Sequence, residues 1–449
     1  MTLKLVGLAL IPALLGSTAV LAQDATPHFA LSGSAGVTAL NMPSGQNGVL
    51  WGGDAKATGT KGQLLIGETF SLSTAVDLGA VGDYDAFMGA NVFGTYANGS
   101  SSSTQNFSGV GYVAIPGLST PDNASITLTT TRGPGSATAT AVVNETDPQN
   151  HTYTSNPTGT THAVGSGQTG ADVSTGGGSP DSFAMSGLNT NVPVAGASSA
   201  LAYGGVADSS GSIFIASGDL DGLAISTKTR NSILYAGADI TFGVSRAYDE
   251  KTSVQAYAGP SYRYMGQWNS TNTGLTVDIP ELDGTTVTHP LYIVDRNAVV
   301  TSNYLGGVVG ANISHQVNDT VTLGVGAEGS LYYANANLKG RESVTTTGGD
   351  GIDGPSPTVI VNEDPVNTSQ SQLAYAVRGQ TSATFALSPT LDLTASANVD
   401  YLSAVARPYG GANVHYDGNG GATWTSGGPH LSFGGMFAFG GSLSLNGRF

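Results

Sequence analysis

Residues 391–401 read LDLTASANVDY. Their odd positions carry apolar or aromatic side chains, from Leu391 to Tyr401, and their even positions carry aspartate, threonine, serine and asparagine. Because successive side chains of a β-strand point to opposite faces, this alternation predicts a strand with one apolar and one polar face. Strands of about ten residues with this pattern are typical of barrels that cross a membrane, since one face meets lipid and the other meets the lumen.

The same alternation recurs in segments that are joined in pairs by short polar turns. Residues 373–387 alternate in this way, and only Ser388, Pro389 and Thr390 separate them from residues 391–401. The other alternating segments are 29–39, 70–78, 84–96, 234–244, 254–264, 305–317, 321–333 and a final one that ends at Phe449. The long connections between pairs are 41–62, 98–212, 267–302, 339–370 and 409–428. Short and long connections in turn predict an all-β, antiparallel transmembrane β-barrel with short periplasmic turns and long extracellular loops.

The composition excludes several classes of protein. Only 10% of the 449 residues are charged, against roughly 25% in soluble domains, and the 65 glycines show no three-residue period. The formal net charge of −16 disfavours nucleic acid as a partner. The absence of cysteine excludes disulfides, thiolate nucleophiles and cysteine metal sites. After the N-terminal segment no apolar run reaches about 18 residues, so a membrane span has to be made of strands.

The N-terminal segment predicts a secretory signal peptide. Lys4 precedes an apolar stretch, and small residues lead up to the polar Gln23. We expect cleavage after Ala22, so that residues 1–22 are removed and residues 23–449 form the barrel. An uncleaved membrane helix is the alternative, but its span is short and its positive flank is thin.

The number of strands is less well determined than the pattern. We expect about ten strands, within a range of about eight to twelve. Residues 107–115, 125–131 and 137–143 either add a hairpin to the barrel or form β-structure above the membrane. A soluble β-sandwich also has alternating strands. The N-terminal segment, the scarcity of charge on the apolar faces and the rhythm of short and long connections together favour the barrel.

The last segment keeps one phase up to the final residue. One face carries Phe433, Phe437, Phe439, Leu443, Leu445 and Phe449, and the other carries Ser432, Ser442, Ser444, Asn446 and Arg448. This pattern resembles the terminal strand of Gram-negative outer-membrane β-barrel proteins, in which a final aromatic residue closes an alternating segment that the barrel-assembly machinery reads. The resemblance implies an outer-membrane location and an assembly signal at Leu443, Leu445 and Phe449. Gly447 departs from the family, which usually has a bulky residue there.

Strand parity places six polar or charged residues on faces that point into the lumen. They are Asp239, Arg263, Glu328, Arg378, Asn398 and Asp400. A barrel of about ten strands is only slightly wider than the eight-stranded type, whose interior is filled by side chains. Since Glu328 and Arg378 lie on consecutive strands, a paired network would seal the pore and compensate its buried charges. The alternative is a water-filled constriction in which Arg263 and Arg378 face the acids and select ions.

Two groups of motif matches carry little chemistry. Residues 324–329 and 349–354 have the glycine spacing of a dinucleotide-binding loop, but the first lies inside an expected strand and the second inside an expected loop. The acidic fragments 219–222, 350–354 and 417–420 resemble pieces of calcium loops without the full set of ligands. We therefore expect no cofactor and no metal site.

A catalytic rim is the remaining alternative. Asp219, Asp221, His289 and His430 could lie near the extracellular rim, where some outer-membrane barrels hold acids and a histidine for hydrolysis. Scattered polar residues at a rim are ordinarily solvated, so we expect that the protein is not an enzyme.

We expect a barrel that acts as a surface scaffold or adhesion protein and displays long acidic loops. The extracellular insertion at 98–212 is rich in serine, threonine and glycine, which suits a hydrated surface, and a disordered spacer is its alternative interpretation. A narrow porin-like channel for ions or small solutes is the alternative function. The expected partners are outer-membrane lipid, the barrel-assembly machinery and an extracellular ligand or surface partner.

Overall fold

The computed structural model describes most of the chain. The described residues are 29–43, 48–58, 64–121, 124–133, 136–145, 151–155, 168–175, 183–191, 199–207, 211–280, 286–346, 358–361, 366–410, 412–425 and 431–449. The expected signal peptide lies outside them. Every regular element in the described part is a β-strand, and all pairings are antiparallel. No helix in this part of the chain has the length and apolar character that crossing a membrane requires.

The described strands form three sheets. The first has twelve strands: β1 (Phe29–Asn41), β3 (Lys56–Thr58), β4 (Leu64–Val81), β5 (Tyr84–Ser108), β14 (Leu223–Ala247), β15 (Thr252–Pro280), β16 (Thr286–Gln316), β17 (Val321–Thr346), β18 (Thr358–Val361), β19 (Val366–Ser388), β20 (Leu391–Gly410) and β23 (Leu431–Arg448). The second has six: β2 (Leu50–Gly53), β6 (Val110–Pro116), β10 (Gln168–Thr175), β11 (Phe183–Asn191), β12 (Ser199–Ala207) and β13 (Ser212–Asp219). The third has five: β7 (Ala124–Gly133), β8 (Ser136–Glu145), β9 (His151–Ser155), β21 (Val414–Tyr416) and β22 (Ala422–Thr425).

The twelve-stranded sheet closes on itself. From β1 the pairing passes in chain order through β4, β5, β14 to β17, β19, β20 and β23. Strand β23 then pairs with β1, from Arg448 opposite Ala30 to Phe437 opposite Asn41. The short strands β3 and β18 add to β5 and β17 outside this cycle. A closed ladder has no open edge, so its backbone polar groups are paired within the wall.

The two faces of this wall differ as the alternation predicts. In β14 the odd residues from Leu223 to Asp239 are buried, and in β17 the even residues from Tyr332 to Leu338 are buried. The outward positions carry exposed apolar and aromatic side chains, among them Val37, Ile66, Phe70, Val92, Tyr96, Ile240, Phe242, Leu305, Val309, Val325, Leu331, Tyr333, Leu373, Tyr375, Val399, Phe439, Leu443 and Leu445. We call this outer surface the apolar band. Phe433 is an exception to its expected face, because it packs against buried residues of the interior where the pairing of β20 with β23 is irregular.

The wall is uneven in height. Strand β1 has 13 residues, whereas β16 has 31. The short turns at 82–83 and 389–390 lie at the same end as Phe29 and Phe449, and we call this the short-turn end. At the opposite end β14 to β17 continue as a tall extension of the wall. The expected loop at 267–302 is therefore wrong, since most of it belongs to the upper parts of β15 and β16.

The six-stranded and five-stranded sheets cover the barrel at the end opposite the short turns. Val113, Phe214 and other side chains on one face of the six-stranded sheet pack against inward-facing residues of the extension, such as Ile225 and Tyr292. The other face packs against the five-stranded sheet, around Trp424. We call these two sheets the cap. Because β6, β12 and β13 are covered on both faces, nearly all of their described residues are buried, which is typical of a central layer.

The cap changes the expected boundaries of the insertion. Strand β5 continues through Ser108, so residues 98–108 belong to the barrel wall and not to a loop. The segments 125–131 and 137–143 lie in β7 and β8 of the cap, and the segment 107–115 lies mainly in β6. None of these three segments adds a hairpin to the closed cycle of described strands.

Candidate functional site in the barrel interior

The interior nearest the short-turn end contains a cavity of about 270 Å³ with polar and apolar side chains in its lining. Hydroxyl side chains line it and bond to one another across neighbouring strands: Ser34 to Ser71 at 2.5 Å, Thr69 to Thr95 at 2.8 Å and Ser396 to Ser442 at 2.9 Å. Such hydroxyl pairs satisfy each other without charge, because each can donate and accept. The cavity walls thus keep polar groups paired in a space that lipid does not reach.

The deep end of this cavity holds the first of two charged clusters. The Arg263 guanidinium donates to Asp239 at 2.6 Å and lies 3.7 Å from a carboxylate oxygen of Glu328. Asn91 donates to Asp239 at 3.2 Å, and the Tyr257 hydroxyl donates to Glu328 at 3.2 Å. Arg263 is 3% exposed and Asp239 is 6% exposed. Two carboxylates therefore share one buried guanidinium, with neutral donors completing their hydrogen bonds.

Arg378 anchors the second cluster. It donates to Asp400, its register partner on β20, and Asn398 donates to the same carboxylate at 2.5 Å. The ring of Phe93 joins the two clusters, since the guanidinium of Arg263 lies 4.8 Å and that of Arg378 5.7 Å from its centroid. The geometry is that of two cation–π contacts on one ring.

The structure brings the six predicted interior residues together but changes one pairing. Glu328 and Arg378 are register partners on β17 and β19, as consecutive strands require. Their ion pairs nevertheless go to other residues, Glu328 to Arg263 and Arg378 to Asp400. The expected direct Glu328–Arg378 pair is therefore replaced by two pairs. Long side chains reach residues on other strands as easily as the one directly opposite.

An apolar layer lies above the charged clusters. Its larger members are Leu40, Met42, Leu65, Ile233, Tyr235, Met265, Tyr304, Tyr332, Leu402, Val405 and Met436. Tyr304 and Tyr332 meet edge to face with centroids 6.2 Å apart, and the Tyr304 hydroxyl donates to the carbonyl of Ala404 at 2.8 Å. That carbonyl belongs to the part of β20 where its pairing with β23 is irregular. Side chains from opposite walls thus meet across the lumen.

Residues 117–120 enter the barrel between the cap and this layer, and we call them the stopper. Leu118 is fully buried against Ala298, Val300 and Leu338 on the inner wall, with Val366, Ala406 and Leu431 completing its surroundings. The N–H of Gly117 donates to the carbonyl of Ser212 at 2.7 Å, and the carbonyl of Gly117 accepts from the N–H of Gly410 at 2.9 Å. The stopper is therefore bonded both to the cap and to the wall.

A buried ion pair holds the stopper from the wall side. Arg296 lies 3.4 Å from Glu342, and the N–H of Leu118 donates to the same carboxylate at 2.9 Å. A Cβ atom on Gly117 would lie 2.4 Å from Glu342 and 2.5 Å from the Ser212 hydroxyl, so a larger residue at that position would displace one of these side chains. Sequence reasoning missed Arg296 and Glu342. Both residues have even numbers, and even positions of β16 and β17 face the interior. This signal could be used only if the strands were known to extend beyond the segments that the hydrophobic pattern indicated.

The proposed assembly residues lie on the outer surface of the last strand. Leu443, Leu445 and Phe449 are 59%, 50% and 70% exposed. The N–H of Phe449 donates to the carbonyl of Phe29 at 2.9 Å, which extends the β1–β23 pairing to the final residue. A role in assembly stays a prediction.

The remaining motifs lie in turns or strands. Residues 324–329 belong to β17, as expected, and residues 349–354 lie outside the described part. Asp219 and Asp221 accept backbone N–H groups, from Asp221 and Gly109 respectively. Asp417 likewise accepts from Asn419 at 2.7 Å and from Gly421 at 2.9 Å. In all three acids, a carboxylate oxygen is used to stabilise the local chain.

The catalytic-rim alternative depends on two histidines whose side chains lie outside the described residues. The side chain of His289 and the whole of His430 lie outside them. Within the described part, no group of three or more histidines, aspartates or glutamates is placed to hold a metal ion.

The outer surface decides the environment of the wall. A closed antiparallel cylinder carries an apolar band of exposed leucine, isoleucine, valine and aromatic side chains, and Glu68 is an exposed carboxylate within that band. The described ion pairs lie inside the cylinder or at its short-turn end. Such a surface is stable only where lipid covers it. The architecture is that of an outer-membrane β-barrel. The protein therefore resides in the outer membrane, with the apolar band in the bilayer.

Comparison with known proteins adds no narrower family. No family model matches the sequence, and no curated protein sequence matches it. The outer membrane protease OmpT from Escherichia coli aligns with 74% of this chain and 98% of its own, at 8% identity and a TM-score of 0.23. A Pseudomonas aeruginosa FadL homologue aligns with 94% of this chain and 90% of its own, at 9% identity and a TM-score of 0.21. The CymD monoaromatic hydrocarbon channel aligns with 94% of this chain and 88% of its own, at 10% identity and a TM-score of 0.22. Similarity this low carries no conclusion about activity.

Proposed function

We propose that this protein is a ten-stranded outer-membrane barrel with a sealed lumen that holds the cap at the cell surface. The twelve-stranded sheet without β3 and β18 leaves a cycle of ten strands. An even number of strands puts both chain termini on the same side of the membrane, which the short turns mark as the periplasmic side, so the cap lies outside. The short turns then face the periplasm.

The filled interior is the observation that carries the sealed lumen. Above the cavity come two charged clusters, then an apolar layer, then the stopper with Leu118 fully buried. Ion permeation needs a continuous polar path, and a layer of packed tyrosine, methionine and leucine interrupts it. A barrel that does not conduct ions serves as a rigid membrane anchor that exposes the cap at the cell surface.

Planar-bilayer recording tests the sealed lumen. We expect the purified, folded protein to insert into the bilayer and give no steady conductance steps. Insertion is checked separately by the gel mobility of folded protein recovered from vesicles of the same lipid. Steady single-channel steps from inserted protein would contradict the sealed lumen and support the narrow channel instead.

Cysteine labelling tests the direction in which the cap faces. Since the chain has no cysteine, one introduced thiol reacts alone with a maleimide that does not cross membranes. We expect N419C, in the exposed turn between β21 and β22, to be labelled on intact cells. D319C, in the exposed turn between β16 and β17, is the matched control and should be labelled only after the outer membrane is permeabilised. The reverse pattern would place the cap in the periplasm and refute the surface role.

A further inference from the structure

Four basic side chains are gathered on the outside of the tall extension. They are Lys228 and Arg230 on β14 and Lys339 and Arg341 on β17, all exposed, and we call them the basic patch. The whole chain has only 15 lysine and arginine residues against 31 aspartate and glutamate residues. A concentration of positive charge on one wall of so acidic a protein calls for a physical reason.

The register places this patch at the edge of the apolar band. Arg230 and Arg341 lie in one row of the ladder, connected through Ser270 and Asn297. Three strand spacings of about 4.8 Å separate their backbones by about 14 Å. The adjacent row toward the short-turn end carries Trp268 and Val299, which are exposed, beside Lys339.

The four side chains also lack partners of opposite charge among the described residues. The arginines that do form a described ion pair lie elsewhere. Arg263 and Arg378 are inside the barrel, and Arg246 pairs with Asp83 at the short-turn end. No described carboxylate forms an ion pair with the patch. Asp295 lies in the row of Lys228 but accepts a hydrogen bond from Asn272 at 2.7 Å.

We propose that the basic patch binds the phosphate groups of anionic lipids in the outer leaflet. This rests on the outer-membrane location and orientation proposed above. A tryptophan at the edge of an apolar surface marks the depth of lipid headgroups. Lysine and arginine at that depth attract anionic headgroups, and the arginine fork matches a phosphate with two parallel hydrogen bonds. The patch is continuous with the lipid-covered surface, so a membrane lipid reaches it more readily than a solute does.

Titration of the folded protein in an uncharged detergent tests this inference. The probes are dioctanoyl phosphatidic acid, dioctanoyl phosphatidylcholine and inorganic phosphate. The binding of each probe is measured by calorimetry. We expect the phosphatidic acid to bind more tightly than either of the others. In K228Q/R230Q/K339Q/R341Q its affinity should fall by about fivefold for each charge removed. All four positions are exposed, so this variant should fold as the parent does.

R246Q/K251Q, near and in an exposed turn at the short-turn end, is the matched control and should keep the parent's affinity. Equal affinity for phosphatidic acid in parent and fourfold variant would overturn the proposal, as would an equal response to inorganic phosphate. Insertion of the parent into phosphatidylcholine vesicles is measured in parallel. If the parent inserts but the patch does not bind, only this inference fails; if the parent does not insert, the membrane location fails and the inference fails with it.

Discussion

Replacing Arg263 with methionine is expected to destabilise the folded barrel by about 3 to 5 kcal/mol. The substitution removes the guanidinium that Asp239 and Glu328 share, and it leaves Asp239 buried with Asn91 as its remaining described donor. A buried carboxylate without its counter-charge costs far more than the loss of an exposed pair. The measurement is the urea midpoint of the barrel in phosphatidylcholine vesicles, followed by the difference in gel mobility between folded and unfolded protein.

Two further variants separate charge pairing from simple loss of packing. R246M removes an arginine that is 52% exposed and lies 3.9 Å from Asp83, so we expect a change below about 1 kcal/mol. R263M/D239L replaces both charges with apolar groups and should recover a large part of the stability that R263M loses. If R263M and R246M had equal effects, the interior cluster would not depend on its ion pairs.

Shortening Leu118 to alanine is expected to loosen the stopper by about 2 to 5 kcal/mol. The leucine is fully buried among side chains of five strands, so its removal leaves a cavity that the rigid wall cannot refill. The local cost appears in the amides that the stopper organises: Gly117, Leu118 and Gly410. Their hydrogen exchange should accelerate by about 30-fold or more, provided that they exchange through opening of the stopper.

L331A is the matched control for this truncation. Leu331 lies on β17 but is 62% exposed in the apolar band. Its shortening removes the same atoms without opening an interior cavity, and exchange at the three amides should stay as in the parent. Unchanged exchange in L118A itself would mean that Leu118 does not hold the stopper in place.

The wall could be predicted from sequence where lipid touches it. In residues 391–401 the apolar face meets lipid and the polar face meets the cavity. Apolar and polar residues therefore alternate along the sequence in step with the two faces of the strand. At residues 269–272 of β15, in the extension, both faces are polar: Asn269 and Thr271 point inward while Ser270 and Asn272 point outward. The strand continues there, but its hydropathy no longer alternates. Hydropathy therefore located the membrane segments of β15 and β16 and missed their upper parts.

The interior residues were predictable as a set and not as pairs. Parity alone selected Asp239, Arg263 and Asp400, because a charge within an alternating strand has only one face that avoids lipid. It could not say that Glu328 would reach Arg263 in preference to Arg378, since that choice depends on rotamers and on the barrel's curvature. Leu118 gave no signal at all, because a single leucine between a glycine and a serine has no period to interpret.

The seam between β1 and β23 has a consequence for biogenesis. These strands are about 400 residues apart in the sequence, so the cylinder cannot be completed before both of them have been synthesised and exported. Contacts this distant in sequence form late and slowly. The intermediate would expose two open strand edges to other chains in the periplasm. We therefore expect this intermediate to aggregate unless its open edges are shielded before insertion.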